Sequence, residues 1–254
     1  MVGIYFTGTG NTKHCMELLV SSVDKEAECI SITDKRVLKV IESNEVIFLG
    51  YPTQFSNMPF FIRDFIKSNK DIWKGKKIFC ISTMGAFSGD GAGCSARELK
   101  KYGAVILGGL HIRMPDAVCD SKLLKKSITE NQKIIKEADE KIYRIANEIH
   151  AGKYPQEGVT FFSHICGLFG QRLWFYNKTT GYSDRIKVNG ECIRCGKCVS
   201  VCPMGNLSIK DNQVISGNKC TMCYSCISQC PQKALTLLGE KVVEQCRYEK
   251  YEVT

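Results

Sequence analysis

The sequence predicts an open α/β sandwich of about 150 residues, followed by a small cysteine-rich α+β unit. Two observations carry this reading. Short β-rich apolar runs alternate with helically periodic stretches through the first half, the pattern of a doubly wound, parallel five-stranded sheet covered on both faces. Further on, a cysteine unit occurs twice, 28 residues apart, within residues 192–231.

The elements follow in order. Residues 2–7 read as a strand, 12–22 as a helix and 29–33 as a second strand. Residues 45–51 form a continuous apolar run, the mark of a strand buried on both faces. Residues 59–72 read as an amphipathic helix with Phe61, Phe65 and Ile66 on one side. A strand over 77–83, a helix over 94–102 and a strand over 104–110 complete the alternation. Over 122–149, Leu124, Ile128, Ile135, Ile142, Ile145 and Ile149 recur at helical spacing. These elements define a first domain over 1–150, a connecting segment over 151–185 and a cysteine-rich domain over 186–254.

The connecting segment is interrupted by Gly152, Pro155 and Gly158, then places six aromatic residues within 161–176. An interfacial membrane helix would want a basic polar face, and only Arg172 supplies a cation there. The expectation is a helix that clamps the two domains together.

Composition excludes several classes. With 44% hydrophobic and 24% charged residues the chain is of ordinary globular composition. No apolar run is long enough to span a bilayer, and the start Met1-Val2-Gly3-Ile4-Tyr5-Phe6 lacks signal-peptide features. The expected compartment is the cytoplasm, where clustered cysteines serve metals rather than disulfides. Of fifteen cysteines, eight fall within 192–230; those at 15, 29, 80, 94, 119, 166 and 246 stand singly and read as small buried hydrophobes. The formal charge of +9 counts cysteines as neutral. Two thiolate-ligated cubanes would remove about 4 units, and a bound monophosphate nearly 2 more. Lysines are spread without a like-charge tract, so no nucleic-acid partner is expected.

The two units are Cys192-Ile193-Arg194-Cys195-Gly196-Lys197-Cys198 with Cys202-Pro203, and Cys220-Thr221-Met222-Cys223-Tyr224-Ser225-Cys226 with Cys230-Pro231. Three cysteines on a tight loop can hold three irons of one cubane, while the fourth, turned away by proline, reaches the other. This gives Cys192, Cys195, Cys198 and Cys230 to a first [4Fe–4S] cluster, and Cys220, Cys223, Cys226 and Cys202 to a second. A single CxxC would also serve zinc or a redox disulfide, but two complete runs with both prolines form no zinc-ribbon pattern. Residues 190–238 resemble a bacterial-type two-cluster ferredoxin.

After the first strand, Thr7-Gly8-Thr9-Gly10-Asn11-Thr12 opens a helix. Glycines let the backbone curl so that amides face an anion, the threonine hydroxyls add donors, and the helix N-terminus adds positive potential. The Lys-Ser/Thr pair of a nucleoside-triphosphatase loop is missing, so a terminal monophosphate suits the loop better. The hexamer resembles the FMN-phosphate loop of flavodoxins. By that resemblance Pro52, Thr53, Gln54 and Phe55 after the third strand, and Thr83, Met84, Gly85, Phe87 and Gly89 after the fourth, would flank the isoalloxazine ring. Phe55 and Phe87 are the stacking candidates, and the lack of tryptophan in either loop leaves the stacking geometry open. Gly91-Ala92-Gly93-Cys94-Ser95-Ala96 matches a loose dinucleotide pattern but follows the fourth strand, so it reads as part of the flavin-facing loop.

The whole chain resembles flavodoxin–ferredoxin fusion proteins: a flavodoxin-like domain followed by a two-cluster ferredoxin domain. The resemblance implies an electron carrier that passes single electrons between two [4Fe–4S] clusters and FMN and on to a partner oxidoreductase. The alternative is a flavin-dependent reductase acting directly on a small substrate, with His111, Arg113 and Asp116 as candidate orienting groups; a redox sensor is a third reading.

Overall fold

The structure, a computed structural model, describes residues 1–167 and 185–252. A five-stranded parallel sheet runs in the order β2-β1-β3-β4-β5, from β1 (Val2–Tyr5), β2 (Glu28–Ser31), β3 (Val46–Pro52), β4 (Lys77–Met84) and β5 (Val105–Arg113). This is the flavodoxin-like doubly wound order, which reverses direction between β1 and β3 and so opens a crevice at their carboxyl ends.

Alternation along buried strands divides the core between the two faces. On one face Ile47 and Leu49 of β3 pack with Ile4, Ile78, Ile41 of α2 (Val37–Ser43), Ile62 and Ile66 of α3 (Phe60–Ser68) and Leu99 of α4 (Gly91–Lys101). On the other, Phe48 and Phe79 meet Met16 and Leu19 of α1 (Asn11–Val23) and Ile135, Ile142 and Ile145 of α5 (Ile128–His150). Both faces of β3 are therefore covered, which is why residues 45–51 read as one apolar run.

The structure adjusts several boundaries. Helix α2 lies where the sequence reading assigned nothing; its buried Val37 and Ile41 are the only turn-to-turn signal in a short element. Helix α5 starts at Ile128 rather than near 122, because Ser127 and Glu130 form a reciprocal capping box. Helix α4 starts at Gly91, so the glycine-rich 91–96 stretch is the first turn of a helix and not part of the flavin-facing loop. Its glycines serve packing: a Cβ on Gly93 would collide with the Gly158 carbonyl. His111 and Arg113 lie within β5, not after it.

The carboxyl-terminal half is built from two antiparallel pairs, β6 (Lys187–Val188) with β9 (Leu235–Thr236) and β7 (Leu207–Lys210) with β8 (Gln213–Ser216), around Leu207, Tyr224, Ile227, Leu235 and Leu237. Asp211 and Asn212, with φ of 46° and 63°, make the hairpin turn between β7 and β8.

Of the expected aromatic clamp over 161–176, residues 168–176 lie outside the described residues. The described part, α6 (Phe161–Gly167), has Phe161 and Phe162 exposed and packs on the first domain through His164, whose Nδ1 is 3.0 Å from Asp90 Oδ2. Two other segments join the halves. The strap after β5 carries Asp120, whose carboxylate accepts from the amides of Leu237, Leu238 and Gly239 at 2.7, 2.9 and 3.1 Å and from the Tyr224 hydroxyl at 3.0 Å. The carboxyl-terminal tail returns to the first domain, where Tyr248 stacks on His14 at 4.2 Å and donates its amide to Thr9 O at 2.8 Å, while Tyr251 is buried in the α1/α5 core.

Burial opposes ionisation of Asp120, but its four donors outweigh burial and hold the carboxyl below the ordinary value. Its contribution to stability is present above the ordinary Asp pKa of about 3.9 and lost as pH falls through the lower folded value. Asp120→Asn is expected to lower the stability of the cluster-bearing half at neutral pH by about 1.5–3 kcal/mol, the range for hydrogen bonds to a charged group, as read by denaturant unfolding.

Candidate cofactor sites

The internal duplication is written into the backbone. Arg194 and Met222 have φ of 59° and 52°, Gly196 and Tyr224 of 74° and 61°, and Gly205 and Lys233 of 54° and 51°. These left-handed residues fold each CxxCxxC run into a loop that ends in a single helical turn, Lys197–Ser200 or Ser225–Ser228. The structure brings Cys202, Cys220, Cys223 and Cys226 around one cavity, and Cys192, Cys195, Cys198 and Cys230 around another. The fourth cysteine of each run thus stands with the first three of the other.

Among the described residues, no three His, Cys, Asp or Glu side chains converge as ligands of a single ion would. The sulfurs ring a void instead, the arrangement that suits a multi-iron cube. Burial pushes the Cys223 thiol up to about 12, and neighbouring sulfurs add to it; burial likewise raises Cys198, Cys220 and Cys226. Four such thiols ionise together only beside a compensating cation. The donor sets therefore fit iron–sulfur clusters. Backbone amides also face these sulfurs: Asn206 N to Cys202 Sγ and Ala234 N to Cys230 Sγ, both at 3.3 Å, and Met222 N to Cys220 Sγ at 3.4 Å. Such donors stabilise electron-rich sulfur and tune a cluster's potential. The sequence reading missed them, although Asn206 and Ala234 occupy equivalent places in the repeat.

The surroundings of the two cavities differ. Ile186, Leu207, Ile227 and Leu237 line the one around Cys220, whereas Arg194 and Lys197 line the other, where Cys195 is exposed.

The three loops predicted to hold a flavin meet at the carboxyl edge of the sheet. Thr9, Asn11 and Thr12 are buried, and Thr12 Oγ1 lies 2.8 Å from Thr83 Oγ1. Thr7 Oγ1 accepts from Gly10 N at 3.0 Å, and Gly10 takes a φ of 94°. Among the described residues the amides of Gly8, Thr9, Asn11 and Thr12 have no acceptor, which leaves a row of donors at the start of α1. Asn11 donates Nδ2 to Pro115 O at 2.7 Å, while its buried Oδ1 has no hydrogen-bond partner. Free donors beside a helix N-terminus fit a phosphate.

Thr53 N donates to Thr83 O at 2.7 Å, tying the loop after β3 to the end of β4. Gln54 and Asn57 pair through their backbones around Phe55 and Ser56, both left-handed. Phe55 is half-buried and Phe87 exposed; Pro52, Met84, Gly85 and Gly89 are partly buried around them. Asp116 packs against Gly85, and burial pushes its carboxyl above the usual range. His111 Nε2 lies 3.4 Å from Ser88 Oγ, and burial lowers its pKa, whereas Arg113 is exposed.

The two sites touch. A Cβ on Gly8 would collide with the carbonyl of Cys223, and Gln54 donates Nε2 to Thr221 O at 2.5 Å. The loop 221–223 of the second cysteine run therefore rests against both the phosphate-type loop and the loop after β3. Thr221 Oγ1 is buried there without a partner. Nothing in the spacing of the sequence signals this contact, because it joins residues more than 160 positions apart.

Residues 191–234 match the 4Fe–4S dicluster domain family. Among solved structures, the chain is similar to a flavodoxin from the domain Archaea (16% identity over 59% of this chain and 97% of that one, TM-score 0.41). It is similar also to the two-electron reduced flavodoxin of Megasphaera elsdenii (24%, 56% and 99%, 0.41) and to oxidised Flavodoxin 2 of Bacillus cereus (19%, 59% and 97%, 0.43). No curated protein matches the chain. On its own strand order and the dicluster match, the chain joins a flavodoxin-like fold to a ferredoxin-type 4Fe–4S domain. No helix among the described residues is long and apolar enough to cross a membrane.

Two four-sulfur sets lead to a metal-content test. Protein prepared anaerobically should hold about eight irons and no zinc. Cys202→Ser should damage the set that contains Cys220, and Cys230→Ser the set that contains Cys192, as read by iron content and cluster spectra.

Proposed function

We propose that this protein is an electron carrier that passes single electrons between two [4Fe–4S] clusters and FMN, and on to a partner oxidoreductase. When bound, the clusters would supply one-electron chemistry and the flavin the step between one-electron and two-electron carriers. The chain's own residues ligate, orient and exclude water. Cys192, Cys195, Cys198 and Cys230 would hold one cluster; Cys202, Cys220, Cys223 and Cys226 would hold the other. Thr9, Thr12 and the amides of Gly8, Thr9, Asn11 and Thr12, which have no acceptor among the described residues, would bind the phosphate, with the loops after β3 and β4 around the ring.

The observation that carries this reading is the contact of Cys223 with Gly8, supported by the Gln54–Thr221 hydrogen bond. A ligand of one cluster would then stand directly against the loop that holds the flavin, so electrons need no mobile tether. The other four-sulfur cavity, with exposed Cys195 beside Arg194 and Lys197, is the side on which a redox partner would exchange electrons.

Loss of one hydrogen bond to a charged group costs about 1.5–3 kcal/mol, so Thr12→Ala should weaken FMN binding about tenfold or more while the iron content stays unchanged. Riboflavin, which lacks the phosphate, should bind far less well than FMN; equal binding would contradict the loop assignment. Gly8→Ala tests the route itself. Its methyl group displaces the 221–223 loop, so in protein whose iron and FMN content show both cofactors bound, reduction of the clusters by a one-electron donor should be followed by slower flavin reduction. In the parent protein that rate should not depend on protein concentration. A rate that scales with concentration, or one unaltered by Gly8→Ala, would reject direct internal transfer.

A further inference from the structure

The strap after β5 and the carboxyl-terminal tail bring together three reactive side chains that neither cofactor site uses. Cys119 and Cys246 are buried in one cluster, with Cys246 Sγ 3.8 Å from Val118 O and Cys119 Sγ 3.5 Å from Ala117 O, and Lys125 Nζ lies 2.6 Å from Cys246 Sγ. The backbones are drawn together as well: Val243 N and Glu244 N donate to Cys119 O at 2.9 and 3.1 Å. Lys125 is fixed by a second bond, to Val118 O at 2.5 Å.

The sequence reads each cysteine as a small buried hydrophobe; both are buried in an apolar cluster, and the structure adds an ammonium against one of them. A half-buried ammonium against sulfur has no place in an apolar contact, but it is the environment that favours a thiolate. The neighbouring Cys119 thiol and the Lys125 ammonium outweigh burial and hold Cys246 below the ordinary thiol value, while Cys246 and burial hold Cys119 above it. The Lys125 ammonium is bonded to Cys246, which marks Cys246 as the sulfur prepared to attack.

We propose that Cys119 and Cys246 form a redox-active dithiol–disulfide pair, with Lys125 positioning Cys246 as the attacking sulfur and a low-molecular-weight disulfide as the oxidant. Cys246 attacks one sulfur of the small disulfide, forms a mixed disulfide and releases one thiolate. Cys119 then gives up its proton, attacks the Cys246 sulfur and releases the second thiolate. The protein loses two electrons, the small disulfide gains them, and the two protons end on the released thiols. The pair is buried, so attack follows local opening of residues 242–247, which lie outside any helix or strand. Once formed, the bond fastens the tail, whose Tyr248 covers the Thr9 loop, to the strap that carries Asp120. The junction between the two halves would then be closed covalently.

The experiment uses the full-length protein with its clusters in place, equilibrated without oxygen at graded ratios of oxidised to reduced glutathione. It is then alkylated and digested with trypsin without reduction. Residues 114–122 and 242–247 are tryptic peptides with one cysteine each. The expected result is a disulfide-linked pair of these peptides, increasing with the oxidised fraction while the cluster absorbance persists. Recovery of both peptides only as alkylated thiols, at every ratio that leaves the clusters intact, would overturn the proposal. So would linkage of either cysteine to glutathione alone. Thiolate fraction sets the exchange rate, so Lys125→Met should slow formation of the link about tenfold without preventing it. An unchanged rate would remove Lys125 from the mechanism.

Discussion

The arrangement depends on a close backbone approach at Gly8. The turn after β1 has no side chain there, and the carbonyl of Cys223 occupies the space that any Cβ would need. Around this point the rest is organised as a set of fasteners. Gln54 reaches Thr221 from one side, Tyr248 closes over Thr9 from the other, and Asp120 gathers three amides and a tyrosine hydroxyl behind the cysteine loop. None of these bonds lies within a single domain. Together they hold a cysteine loop at the carboxyl edge of a parallel sheet, where α/β folds of this winding bind their ligands.

The second constraint is electrostatic. Thiols packed together in an apolar pocket resist ionisation, and the cavity around Cys220 is the more apolar of the two. Amides aimed at Cys202, Cys220 and Cys230 lower the cost of charge on sulfur without adding ions. Because the second cavity opens beside Arg194 and Lys197, the two sets stand in different surroundings although their backbones repeat. Burial and charge are the means by which one loop design would give two bound clusters different potentials.

Much of this was legible in the sequence, for reasons that are local. The apolar run 45–51 announced a strand buried on both faces, and the spacing of Ile135, Ile142 and Ile145 announced α5. What was not legible is non-local. Helix α2 is too short for a periodic signal, and only its packing on β1 reveals it. Gly91 and Gly93 look like loop glycines, yet they open a helix because close packing on Ser88 and Gly158 requires them. Gly8 reads as a residue of a phosphate turn, and its sequence neighbours give no hint that a carbonyl 215 positions away rests on it. Cys119 and Cys246 stand alone in the chain and meet only because the tail folds back. Residues 168–176 of the aromatic segment lie outside the described residues, and the fastening seen elsewhere comes from the strap and the tail.

The central claim is that the cluster held by Cys202, Cys220, Cys223 and Cys226 is the one that abuts the flavin loops. Pulsed EPR measures it most directly, through the effect of a reduced cluster on the spin relaxation of a one-electron-reduced flavin. Enhanced relaxation of the flavin signal is predicted in the parent protein and in Cys230→Ser, with loss of the enhancement in Cys202→Ser. Enhancement that survives in Cys202→Ser and vanishes in Cys230→Ser, or no enhancement in the parent, would contradict the account.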